Sequence, residues 1–238
     1  MGSTRLPGKV LADLASDAPV LARMPTVANL PTKPTGRPVL SEILSRLERC
    51  RRVDYIGVAT TTRPEDEPIV RLALAAGHMA WAGKEDDVLG RILEMFTVYH
   101  TALATADVVV RITGDCPFVD PAIVDTCVDA LGANDFASNI FPRRSYPKGL
   151  DVEVLHVDTL RRLHRMSTTH EQREHVTLFV KQQPLLFACA CVESPVDDSD
   201  LNVSIDTAED LARARWLYAA NPPALATFLR TEYLSVFC

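Results

Sequence analysis

Apolar residues in this chain fall at two spacings. Leu40, Ile43, Leu44 and Leu47 recur at helical intervals, so a helix is predicted over residues 39–50. A short apolar run ending in hydroxyls follows at 54–60, which reads as a buried parallel strand. Residues 64–76 predict a helix whose first turn holds Glu65, Asp66 and Glu67, charges that suit the positive end of a helix dipole. A short strand at 78–82 and a long helix at 86–103 come next. Residues 106–113, Ala-Asp-Val-Val-Val-Arg-Ile-Thr, form the clearest strand of the chain. A helix at 121–131 opens on proline. Further strands are predicted at 136–139, 150–157, 185–193 and 202–205, and further helices at 159–166, 171–183 and 207–219.

Strands alternating with helices imply an α/β fold, a three-layer αβα sandwich around a mostly parallel mixed sheet. One domain is expected over 1–220, with 221–238 as a C-terminal extension. Pro19, Pro25, Pro31, Pro34 and Pro38 crowd one stretch, so 17–38 reads as a Pro-rich surface insertion. In open α/β sheets ligands sit beyond the carboxyl ends of strands. That rule directs attention to 60–62, to 113–117 and to Asp206.

Composition narrows the class. The chain has 238 residues, 47% hydrophobic and 24% charged, ordinary for a globular enzyme with a substantial core. Its net charge of −6 argues against a nucleic-acid partner while leaving room for a local basic pocket. The six cysteines form no C-x-x-C pair, so reduced thiols are expected. No apolar stretch is of membrane-spanning length and no signal peptide is evident, so a cytoplasmic enzyme with no membrane partner is the expectation.

The chain opens on Met-Gly-Ser-Thr-Arg-Leu-Pro-Gly-Lys. Glycines let backbone N–H groups approach an anion, Arg5 offers a fork for phosphate oxygens, and Lys9 adds a point charge. The spacing is wrong for a P-loop, since Val10 follows Lys9 where a hydroxyl is needed. No G-x-G-x-x-G supports a dinucleotide fold either. A basic N-terminal stretch without a ligand is the competing reading. Asp115 lies in a turn at the end of the 106–113 strand, and Asp206 at the end of the 202–205 strand. Each can equally be a turn or helix-capping residue. Taken together, two strand-end carboxylates and a basic glycine turn describe a Mg²⁺-assisted nucleotidyl transfer site, because Mg²⁺ favours one or two carboxylates plus substrate phosphates.

The motifs Gly2-Ser-Thr-Arg-Leu-Pro-Gly-Lys9, Val108-Val-Val-Arg-Ile-Thr-Gly-Asp-Cys-Pro117, Lys148-Gly-Leu-Asp-Val-Glu-Val154, Arg173-Glu-His-Val-Thr177 and Asp206-Thr-Ala-Glu-Asp-Leu211 occur in this order. In this the chain resembles the cytidylyltransferase family of the spore coat polysaccharide biosynthesis protein F type, related to synthetases of CMP-KDO and CMP-sialic acid. The resemblance runs from Met1 to about Ala220. It implies a nucleotide-diphospho-sugar transferase fold of glycosyltransferase-A type. It also implies transfer of CMP from CTP to an acidic sugar or similar hydroxyl, with release of pyrophosphate, in surface polysaccharide or glycoconjugate biosynthesis. Carried across, Arg5 and Lys9 hold the triphosphate, with Gly2 and Ser3 lining the same cradle. Asp115 and Asp206 hold Mg²⁺. Ala59, Thr60 and Thr62 lie near the base. Arg111 reaches a phosphate or the acceptor, or else pairs with a neighbouring carboxylate. Tyr146, Lys148, Asp151, Glu153, Arg173 and His175 shape the acceptor pocket, with a structural role open for His175. A homodimer is implied by the same likeness.

Two departures stand out. Members of the family carry an apolar strand ending in Gln-Ala-Arg ahead of the glycine turn, so the first central strand is expected to be missing, with an open slot left in the sheet. The Pro-rich stretch is longer than a usual connection by about twenty residues. A start upstream of Met1, or a poorly active form, would account for the first. Two other readings stay in play: a sugar transferase of the same fold using Asp198-Ser199-Asp200, which reads as a solvated loop, and an inactive truncated relative.

Overall fold

The structure is a computed structural model, and it describes residues 6–15 and 37–220 together with Leu225 and Leu229. Gly2, Ser3, Arg5, most of the Pro-rich stretch and most of 221–238 lie outside the described residues.

After a single 3-10 turn at Lys9–Leu11, α1 (Val39–Leu47) sets its apolar face inward. Strand β1 (Gly57–Thr61), helix α2 (Glu67–Ala75) and strand β2 (Met79–Gly83) form a parallel unit, with Gly57 opposite Met79 and Thr61 opposite Gly83. Helix α3 (Val88–Val98) starts where the Asp87 carboxylate accepts from the Gly90 N–H at 2.8 Å. It leads to β3 (Val108–Arg111). Helix α4 (Pro121–Leu131) is capped by Asp120, whose carboxylate accepts from the Ala122 N–H at 2.8 Å, and stops at Gly132. Strands β4 (Phe136–Ser138) and β5 (Glu153–His156) follow, then helices α5 (Val157–Met166), α6 (His170–Glu174) and α7 (Leu178–Gln182), strand β6 (Cys189–Cys191) and helix α8 (Ala208–Ala220).

The described strands form two sheets, β1–β2 and β3–β5–β4–β6. Strand β5 is antiparallel to both neighbours, and β4 is parallel to β6, so the larger sheet is mixed. Strand alternation divides its side chains between two cores. Val108, Val110, Ala137 and Val154 join one cluster with α1, α4 and α8; Val109, Phe136 and Leu155 join another with α3, α5 and α7. Helices therefore cover both faces, which is the expected three-layer α/β arrangement. Among the described residues no helix is long and apolar enough to cross a membrane.

Several expected elements differ, among them the 185–193 strand, which is a 3-10 turn at Pro184–Leu186 followed by a strand of Cys189–Cys191 only. The 171–183 helix is two short helices, broken at Val176, which sits at φ 40 and is buried in the second cluster. Burying that side chain and turning Thr177 inward outweighs helical continuity, at a backbone cost of roughly 1–3 kcal/mol. Residues 202–205 are held by an isolated bridge between Lys148 and Asn202 rather than by a strand ladder. The long helix ends at Val98, short of Leu103. The five described cysteines are free thiols.

Candidate active site

Three segments meet beyond the end of β3. The Lys9 side chain is buried, and its ammonium donates to the Ile205 carbonyl at 2.6 Å, to Asp115 Oδ2 at 3.2 Å and to Asp206 Oδ1 at 3.3 Å. Lys148 reaches the other Asp206 oxygen at 2.8 Å. The Asp115 carbonyl accepts from the Ile205 N–H at 2.9 Å, locking the two loops together. Local capping frees the Asp206 carboxylate for this role. Asp210 Oδ2 accepts from the Asp206 and Thr207 N–H groups, and Thr207 Oγ1 accepts from the Asp210 N–H. The first turn of α8 is thus satisfied without Asp206. The Lys148 hydrogen bond holds the Asp206 carboxyl below the ordinary carboxylate range against the opposing effect of partial burial, with the Lys148 charge and the Lys9 contact adding to it.

Beside this cluster lies a pocket of about 290 Å³. Its floor is Glu153, which is 2% exposed. Glu153 pairs with Arg111 at 2.5 Å and with Lys181 at 2.7 Å, and accepts from the Thr177 hydroxyl at 2.6 Å. Burial pushes the Glu153 carboxyl up, and the charges of Arg111 and Lys181 with the Lys181 and Thr177 hydrogen bonds bring it below its ordinary value. Asp151 also lines the pocket and is matched by a two-point contact from Arg144 at 2.6 and 2.8 Å. One glutamate facing two cations leaves a surplus of positive charge. His175 stands at the rim, exposed.

Several residues singled out from sequence stand elsewhere. Arg173 points away from the pocket to Asp87 at 2.6 Å and to the His164 carbonyl at 3.3 Å, tying α6 to the start of α3. Tyr146 packs against the first core cluster. The buried Thr60 hydroxyl donates to Asp66 at 3.2 Å, as does the Thr61 hydroxyl at 2.5 Å, so it serves the start of α2. Ala59 lines a separate apolar cavity, and Thr62 is exposed, its N–H bonded to the Gly83 carbonyl. Of the two readings of Arg111, the carboxylate pair is the one observed. Asp198 is buried and its N–H bonds the Ser145 carbonyl, so Asp198-Ser199-Asp200 is a packed loop rather than a wholly solvated one. The sequence reading passed over Lys181, Thr177 and Arg144. Lys181 follows Thr177 at helical spacing, a signal that pointed to a shared face.

Among the described residues no group of three or more histidine, cysteine or acidic side chains gathers to hold a metal by itself. The pair Asp115 and Asp206 fits a hard cation that also takes oxygens from a substrate.

A buried lysine between two carboxylates, at one end of a three-layer α/β fold, is chemistry suited to a polyphosphate and a hard cation. Residues 30–218 match the sequence pattern of a family described as Cytidylyltransferase, and the chain belongs to that family. It is 28% identical over 225 residues to the spore coat polysaccharide biosynthesis protein SpsF of Bacillus subtilis, covering 92% of this chain and 82% of that one. The structure of a cytidylyltransferase from Leptospira borgpetersenii superposes with a TM-score of 0.80 at 25% identity, over 99% of this chain and 92% of the other. A CMP:2-keto-3-deoxy-manno-octonic acid synthetase complexed with CTP shares the fold at a TM-score of 0.61 and 18% identity, over 93% and 95% of the chains.

Proposed function

We propose that this protein transfers CMP from CTP to a hydroxyl of an acidic sugar or closely similar acceptor, releasing pyrophosphate, in the making of a surface polysaccharide or glycoconjugate. The observation that carries the reading is the placement of Lys9 between Asp115 and Asp206, beside a pocket with surplus positive charge. In the reaction the acceptor oxygen forms a bond to the α-phosphorus of CTP. The bond from that phosphorus to the bridging oxygen breaks, pyrophosphate leaves, and the proton of the acceptor hydroxyl passes to solvent water.

Each group has a part consistent with its position. Lys9 exchanges its carboxylate contacts for triphosphate oxygens, joined by Arg5 and by the backbone around Gly2 and Ser3. Asp115 and Asp206 would hold Mg²⁺, which would supply neutralising charge to the phosphate oxygens. Arg111 and Lys181, anchored by Glu153, present their remaining N–H groups to an anionic acceptor, with His175 at the rim. Fixing both substrates in line is the larger part of such catalysis, because little covalent chemistry falls to the protein.

Pyrophosphate release measured with each of the four nucleoside triphosphates and Mg²⁺, against a panel of acidic and neutral sugars, tests this. Turnover with CTP and an acidic sugar is expected. Turnover that needs a nucleotide sugar in place of CTP would transfer the protein to the sugar-transferring class. No magnesium-dependent CTP binding would mark it as a non-catalytic relative.

A further inference from the structure

The family resemblance implies an acceptor-pocket role for Lys148, but its side chain points elsewhere. The described residues that line the pocket above Glu153 include Asp151 and not Lys148. The Lys148 ammonium donates to Asp206 Oδ2 at 2.8 Å, while Lys9 donates to Oδ1 of the same carboxylate at 3.3 Å. Two ammoniums therefore stand on the two oxygens of one carboxyl group. That is close enough for a single polyphosphate chain to touch both.

The two lysines are held differently. The Lys9 side chain is 9% exposed and also donates to the Ile205 carbonyl at 2.6 Å, a contact that no ligand has to break. The Lys148 side chain is 48% exposed, and among the described residues Asp206 is the one partner of its ammonium. An ammonium has three N–H groups, so Lys148 turns spare donors outward. The root of this side chain is fixed. The Lys148 N–H bonds the Leu201 carbonyl at 2.8 Å, and its carbonyl accepts from the Val203 N–H at 2.7 Å. Gly149, next along, is packed closely against Val203 and Ser204. Lys148 is thus a flexible four-carbon arm on a rigid base. An exposed ion pair contributes little to stability, so the arm leaves Asp206 at small cost.

Helix architecture does not call for this pair. Asp210 accepts from the first N–H groups of the α8 turn, so neither lysine is needed to steady a capping Asp206. Among the described residues, the ammoniums of Lys9 and Lys148 meet the carboxylates of Asp115 and Asp206, two charges of each sign. A balanced set of this kind draws neither a lone cation nor a lone anion strongly. It suits a divalent cation and a polyphosphate together, the one facing carboxylates and the other facing ammoniums. We infer that Lys148 is a second polyphosphate-binding lysine, which leaves Asp206 for the triphosphate oxygens of the nucleotide and serves the donor rather than the acceptor. The inference deepens the proposed function and rests on its polyphosphate site.

Isothermal titration with inorganic tripolyphosphate and with CTP, each with Mg²⁺, tests this on the 238-residue chain, on Lys148→Met and on Lys148→Arg. Lys148→Met is expected to weaken both ligands by about tenfold or more, and Lys148→Arg to stay within about threefold of wild type, because a charged donor to phosphate is lost in the first and kept in the second. Binding of both ligands by Lys148→Met within about twofold of wild type overturns the inference. A second measurement separates contact with the ligand from an effect passed through Asp206. With tripolyphosphate and a chelator in place of Mg²⁺, Lys148→Met should also weaken binding by about tenfold in an Asp206→Asn background, where no charged carboxylate remains for the lysine to serve. A loss seen only when Asp206 is intact shows Lys148 acting through Asp206, and overturns the inference. Wild-type binding of tripolyphosphate without binding of CTP removes the CTP reading alone and leaves Lys148 as a polyphosphate lysine. Wild-type binding of neither removes both.

Discussion

Two charged clusters lie side by side at one end of this sheet, and they are built in opposite ways. Around Glu153 the contacts are short, at 2.5 to 2.7 Å, and the carboxylate is sealed from solvent. Around Asp115 and Asp206 the Lys9 contacts are longer, at 3.2 and 3.3 Å, and both carboxylates keep some exposure. The first cluster fixes cations in place. In the second, Lys9 stands at longer range from both carboxylates, although Lys148 holds the far Asp206 oxygen at 2.8 Å. Under the proposed function the first cluster is a frame and the second a socket for a polyanion.

Removing the frame should have the largest effect. Glu153→Ala leaves Arg111 and Lys181 close together without their shared anion, and a loss of about 3–5 kcal/mol is expected from urea unfolding. A shift below about 1 kcal/mol would mean that the two clusters do not differ in kind.

Asp115→Asn attacks the socket, and its effect should fall on turnover. Pyrophosphate release is expected to drop by about 10²–10³-fold, while the urea midpoint moves little. Full rate in this variant would remove Asp115 from the reacting centre.

Arg173→Met tests a residue that belongs to neither cluster. It breaks the bridge to Asp87 and should cost about 1–3 kcal/mol of stability, with the Michaelis constant for the acceptor unchanged. An increase in that constant of tenfold or more would return Arg173 to the acceptor pocket.

Acid gives the mildest contrast. Glu153 and Asp206 both have carboxyl groups held below their ordinary values of 4.5 and 3.8. A lowered value in the folded state stabilises above the ordinary one and is lost as pH falls through the folded one. Stability should therefore decline as pH drops below about 4.5, and the decline should be shallower in Glu153→Gln. Urea midpoints between pH 3 and 7 measure both slopes, and parallel slopes would remove Glu153 as a cause.

Local rules made some of this legible in the sequence. Helix α4 was readable at both ends, because Asp120, Pro121 and Gly132 are local signals. The meeting of Asp115 and Asp206 was approachable, because ligand-binding loops of such sheets gather beyond the carboxyl ends of strands, although 202–205 proved to hold by a single bridge. Other features depend on partners distant in the chain. Nothing near Arg173 announces Asp87, and nothing near Thr177 announces Glu153, so a continuous helix was the natural reading of 171–183. Thr60 lay at the expected strand end, yet its hydroxyl was taken by Asp66, six residues on. Lys181 was missed for a related reason: a lysine on a short helix reads as solvated until the buried glutamate beneath it is seen.

Gly149 has a bearing on how this protein tolerates change. It sits at φ 101, and a Cβ there would lie 2.5 Å from the Ser204 nitrogen and 2.8 Å from the Val203 carbonyl carbon. The neighbours on either side of this contact are Lys148 in one loop and Asp206 in the other. The two loops are thus one mechanical part, pressed together at a point where only hydrogen fits. A survey of every substitution along the chain would find position 149 as unforgiving as the charged residues, although it carries no side chain. Any redesign of either loop has to move both together or leave both alone.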